Sequence, residues 1–109
     1  MPTVYKVLGQ SNPAATTATT LYTVPAATSA VVSTISVANL TGTAATFRIA
    51  IRPAGATLAN QHYLAYDVTV AASDTTVMTL GVTLATTDVI TIYASTANLA
   101  FSAFGSELS

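Results

Sequence analysis

One histidine, four carboxylates and five tyrosines are the side chains here whose types could do chemistry. His62 is the sole histidine, and a lone imidazole works as a general base only beside a nucleophile it can activate. No cysteine is present, and no Gly-x-Ser-x-Gly turn frames a serine. With Tyr63 and Tyr66, His62 reads as part of a strand packing surface. Of the acids, Asp74 and Asp88 fall in turn sequences, where an aspartate accepts hydrogen bonds from local backbone N–H groups. Asp67 falls in mid-strand, and it is the acid with a candidate basic partner on a nearby strand, Arg48 or Arg52. Glu107 follows near the last residues. Glycoside hydrolysis needs two carboxylates in one cleft, and nothing in the sequence places two together. One histidine and scattered acids make a poor zinc set. Gly9, Gly42, Gly55, Gly81 and Gly105 each stand alone, so no phosphate-cradling loop is formed. The expectation is a protein that is not an enzyme, with no catalytic residue, no metal and no cofactor.

The tyrosines point elsewhere. Tyr5, Tyr22, Tyr63, Tyr66 and Tyr93 each offer a large apolar ring with a polar tip, the combination enriched in the cores of interfaces. The same rings would serve a carbohydrate-binding surface. Arg48 and Arg52 lie on one face of one strand and supply candidate polar contacts. The expected interface set is Tyr5, Arg48, Arg52, Tyr63 and Tyr66.

The element that must position these groups is the run Thr46-Phe47-Arg48-Ile49-Ala50-Ile51-Arg52-Pro53. Phe47, Ile49 and Ile51 alternate strictly with Thr46, Arg48, Ala50 and Arg52, the period of a strand with one face in a core. Pro53 has no N–H to give a ladder and closes it. The same alternation marks strands at 3–9, 21–25, 30–40, 61–70, 76–81, 88–95 and 98–108, separated by turn signals, with 82–87 as a short connection. Along 61–70 it places His62, Leu64, Tyr66, Val68 and Val70 on one face. No helical period appears. The expected fold is all-β, an antiparallel β-sandwich of about eight short strands, of which a jelly roll is one form. Residues 1–18, a strand followed by a polar low-complexity link, are expected as an N-terminal arm, and 19–109 as the sandwich domain.

Charge is the unusual quantity. Only 6% of the 109 residues are charged and the net charge is −1, whereas soluble domains carry about 25% charged residues. A near-neutral chain lacks the basic footprint of a nucleic-acid binder. The 51% hydrophobic content and regular alternation argue against disorder. Threonine and serine interrupt every apolar run well short of the roughly 18 residues that a membrane helix needs, so no membrane partner is expected. A surface of hydroxyls in place of charge suits an obligate assembly whose faces are covered by partners.

Several stretches together carry a family resemblance: Leu21-Tyr22-Thr23-Val24-Pro25, Phe47-Arg48-Ile49-Ala50-Ile51, His62-Tyr63-Leu64-Ala65-Tyr66-Asp67, the strand from Val89 to Ser95, and Phe101-Ser102-Ala103-Phe104-Gly105-Ser106-Glu107. In these the chain resembles a family of small structural virion proteins of tailed bacteriophages, cyanophages especially. The resemblance implies a decoration or cement protein on the capsid, with tail, baseplate or fibre attachment module as the alternative. It implies a homodimer or homotrimer that contacts the major capsid protein or a tail protein of the same virus. No catalytic residue comes with it.

Overall fold

A computed structural model describes residues 3–109. Its eight strands are β1 (Thr3–Ser11), β2 (Thr19–Thr23), β3 (Ser29–Asn39), β4 (Ala45–Arg52), β5 (Tyr63–Val70), β6 (Thr75–Leu84), β7 (Val89–Ala94) and β8 (Leu99–Leu108). Two short 3₁₀ turns, Pro53–Gly55 and Asn60–His62, lie between β4 and β5. The strands form two four-stranded antiparallel sheets in the orders β1-β8-β3-β6 and β2-β7-β4-β5. Thus β1 pairs with β8, β2 with β7, β3 with β6 and β4 with β5. This is one long antiparallel hairpin rolled up so that its halves become two facing sheets, the jelly-roll order of an antiparallel β-sandwich.

Strand alternation builds the core, but in β3 its parity switches between Val32 and Thr34, where the register shifts, so Val31 and Ser33 do not share the face of Ile35 and Val37 that an unbroken period of two sets for them. Along β3, Ala30, Val32, Ile35 and Val37 are buried while Val31 and Ser33 are exposed. β4 is central, between β7 and β5, with Phe47 and Ile49 fully buried. The ring of Phe47 meets Phe101 of the other sheet edge to face, with centroids 6.1 Å apart, a favoured aromatic geometry. Ala50 and Thr91, on the outer side of the second sheet, are buried as well; Arg52 reaches Thr91 from that side, and Ala50 lies opposite Tyr63.

Four details differ from the sequence reading or refine it. β6 does not stop at Gly81 but runs on to Leu84, because Met78, Leu80, Val82 and Leu84 keep one alternating set against the core. In β5, Asp67 takes a left-handed φ of 52° and the register slips, with Phe47 facing Val68 but Ile49 facing Ala65. This bulge changes which parity points inward. Val70 and Ala65 are buried while Leu64 and Tyr66 are exposed, so the expected shared face of His62, Leu64, Tyr66, Val68 and Val70 is broken, and His62 lies in the preceding 3₁₀ turn. Residues 3–11 of the expected arm are β1, which lies along β8 of its own chain from Thr3 opposite Leu108 to Ser11 opposite Phe101. Met1 and Pro2 of that arm lie outside the described residues. The polar link after β1 is tied down, since Asn12 Nδ2 donates to the carbonyls of Ala97 and Leu99 at 2.9 and 2.8 Å.

Gly9 marks where the two sheets close on each other. A Cβ there would sit 2.2 Å from the carbonyl oxygen of Leu21, so β1 and β2 approach only because the side chain is missing.

Candidate functional site

The outer face of the second sheet gathers most of the expected interface residues around one guanidinium. Arg48 lies directly opposite Tyr93 on β7. On its other flank the β5 bulge sets two residues, Tyr66 and Asp67, against one. Arg48 Nε donates to Asp67 Oδ1 at 2.7 Å and Nη2 to Oδ2 at 3.3 Å, a two-pronged contact. The guanidinium carbon lies 4.1 Å from the Tyr66 ring centroid and 4.3 Å from that of Tyr93. A planar cation between two ring faces is held by the rings' negative quadrupoles, and the fork matches a carboxylate. The hydrogen bond from Arg48 holds the Asp67 carboxyl below its usual range, against an opposing desolvation cost. The same hydrogen bond pushes the guanidinium pKa further up.

The polar partners of this cluster are supplied from within it. The guanidinium already has its anion, so a ligand carboxylate or phosphate would have to displace Asp67. Tyr66 is 56% exposed and Tyr63 stands against it at 88° with centroids 4.9 Å apart. A pair set edge to face does not offer a sugar ring a coplanar platform. What the cluster presents is a stiff aromatic rim, fixed by the bulge and the ion pair.

The other two expected residues sit apart. Arg52 shares the face, but its Nε donates to Thr91 Oγ1 at 2.9 Å and its Nη1 to the carbonyls of Gly55 and Ala56 at 3.3 and 3.1 Å. It braces the turn after β4. Tyr5 is on β1, in the first sheet, on the opposite side of the sandwich. It is 85% exposed and borders an open groove of about 620 Å³ lined also by Lys6, Val7, Val31, Ser33 and Phe104.

The remaining chemical residues are in structural use. His62 Nδ1 accepts from the Ala59 N–H at 3.0 Å and closes its own turn. Asp74 accepts from Thr75 N–H at 2.8 Å. Asp88 accepts from Ala54 N–H at 2.8 Å and Ala85 N–H at 2.9 Å, joining two loops. Among the described residues no group of three or more histidine, cysteine or acidic side chains could hold a metal ion, and no helix is long and apolar enough to cross a membrane.

Two features escaped the sequence reading. Asp67 is not the sole acid with a basic partner across strands: Glu107 Oε1 accepts from Lys6 Nζ at 3.2 Å, and Glu107 Oε2 accepts from the hydroxyl of buried Tyr22. Burial, then the bond to Glu107, pushes the Tyr22 phenol pKa up, and the Tyr22 bond, then Lys6, holds the Glu107 carboxyl down. The parity that places Lys6 with Leu8, and Glu107 with Phe101 and Ala103, was the available signal, since it turns both charges to the core side of neighbouring strands. The second is Asn39, buried at the end of β3. Its Nδ2 donates to the carbonyls of Thr43 and Val70 at 2.8 and 3.2 Å, and its Oδ1 accepts from Thr41 N–H at 3.0 Å. It supplies the backbone partners that a turn leaving a sheet would lack.

No protein-family model matches this chain, and no match is found among curated proteins or solved structures.

Proposed function

We propose that this chain is a structural subunit of a tailed-phage particle, a cement or decoration protein that self-associates and bridges neighbouring major capsid subunits on the head. One observation carries the reading: every charged side chain is engaged within the chain. Lys6 and Glu107 pair, Arg48 and Asp67 pair, Arg52 braces a turn, and Asp74 and Asp88 cap turns. The three basic and four acidic residues therefore leave little free charge for solvation, steering or catalysis. The surface that remains is hydroxyl and apolar, and it costs less to desolvate against a partner than charge does, provided its hydroxyls find hydrogen-bond partners there. A sandwich with a packed interior suits a rigid plug between larger subunits. Binding the assembled lattice but not loose subunits, it would stabilise the shell by mass action.

The test is thermal. Particles lacking this protein should release their genome at lower temperature than complete particles, and adding the purified chain back should restore the difference. Unchanged release temperature overturns cementing. A few copies per particle rather than hundreds transfers the chain to the tail or baseplate.

A further inference from the structure

The two outer faces of the sandwich differ in charge. The second sheet's outer face bears Arg48, Asp67 and Arg52. The first sheet's outer face bears no unpaired charge among the described residues: Lys6, which borders its groove, has its amine on Glu107. Its rows run Tyr5–Ser106–Val31–Thr83 and Val7–Phe104–Thr34–Thr79 by strand register. By strand parity the Lys6–Glu107 pair lies toward the other side of the sheet. Apolar groups are concentrated on this face: Tyr5, Val7, Val31, Val77 and Leu108 all remain exposed, and the first three line the groove with Phe104.

We propose that the outer face of the first sheet is a two-fold contact with a second copy of this chain, in which Tyr5 of each copy enters the groove of the other. Three arguments select this occupant. A charged partner surface would have its ions stripped of water against a face offering none in return, so the partner must be uncharged where it touches. The face meets that condition against itself. Packing it on the second sheet's outer face of another copy would instead cover Arg48, Asp67 and Arg52, and such a head-to-tail contact closes only at particular rotations, whereas a two-fold contact always closes. The size also fits. Four strands at about 4.8 Å spacing and about ten residues at about 3.3 Å rise give roughly 600 Å² of projected face. Side-chain corrugation brings that toward the ~800 Å² per partner of a stable interface.

The inference rests on the self-association part of the function proposed above and gives it a location, so it is tested on the isolated chain without particles. Sedimentation of the purified protein from micromolar to millimolar concentration should show a dimer. Tyr5→Glu and Val31→Glu should each raise the dissociation constant at least tenfold, and Leu64→Glu, an exposed position on the second sheet, should leave it unchanged. Tyr5 is so exposed that its substitution should leave the melting temperature of the dilute protein unaltered, which separates lost contact from lost fold. The chain has no tryptophan, so a Tyr5→Trp variant gives a clean second readout: its emission should shift to the blue as concentration rises. A wild-type chain that stays monomeric at millimolar concentration overturns the inference, and so does a dimer indifferent to both glutamates or sensitive only to Leu64→Glu. A monomer whose binding to particles is abolished by Tyr5→Glu assigns the groove to a shell protein and overturns the second copy as its occupant. A dimer with the expected sensitivities that binds no particle upholds this contact and refutes the virion reading alone.

Discussion

Glu107 faces the core side of β8, where Tyr22 from the other sheet and Lys6 from the edge strand both reach it. Because its folded pKa is depressed, the stability it contributes is present above the ordinary carboxylate range and is lost as pH falls through the folded value. Asp67 acts in the same direction. Tyr22 is the reverse case: a raised phenol pKa contributes stability that is full below about pH 10, the free tyrosine value, and declines as pH rises beyond it. The melting temperature should therefore fall on both flanks of a neutral plateau. Glu107→Gln should flatten the acid flank, and Tyr22→Phe should flatten the alkaline one. Tyr22→Phe should also lower stability on the plateau by about 1.5–3 kcal/mol, the usual worth of a hydrogen bond to a charged group. At this scale the sequence was legible where a partner lies on an adjacent strand, as for Arg48 and Asp67. It was not legible for Asn39, whose value comes from carbonyls that only the packed turn brings within reach.

Turns carry a different kind of information. Thr87 is the third residue of the turn Ala85–Asp88, closed by the Asp88 N–H to the Ala85 carbonyl at 3.1 Å, and its φ is 66°. A β-branched residue is strained there, while asparagine and glycine are not. Thr87→Asn should raise stability by about 1 kcal/mol, seen as a rise of about 4–8 °C in melting temperature for a domain near this size; an unchanged or lower value contradicts strain at this turn. Strand existence was readable throughout, because period-two alternation marks each strand in the sequence even where register shifts reset its parity in β1, β2, β3 and β5. The β5 bulge was not readable. The sequence from His62 to Val70 alternates without a break, and only the left-handed backbone at Asp67 reveals that the inward set changes parity. The run of β6 past Gly81 was hidden for a related reason: on an edge strand a glycine need not end anything, and here a Cβ would meet no atom within 4 Å.

For the molecule as a whole, the ladders join residues far apart in sequence, with β1 on β8 and β2 on β7. Loop-closure entropy must be overcome before any of these pairings stabilises the chain. Refolding after dilution from urea should take milliseconds to seconds, and a microsecond phase carrying the full amplitude would contradict a topology-limited search. The rolled hairpin has one more corollary. Because Thr3 lies across from Leu108, the strand path nearly closes into a ring. A tag or cargo joined before β1 or after β8 would depart from the same corner of the same sheet, next to Tyr5. A bridge of a few residues between those two strands would let the ring be cut open at another turn with every ladder kept.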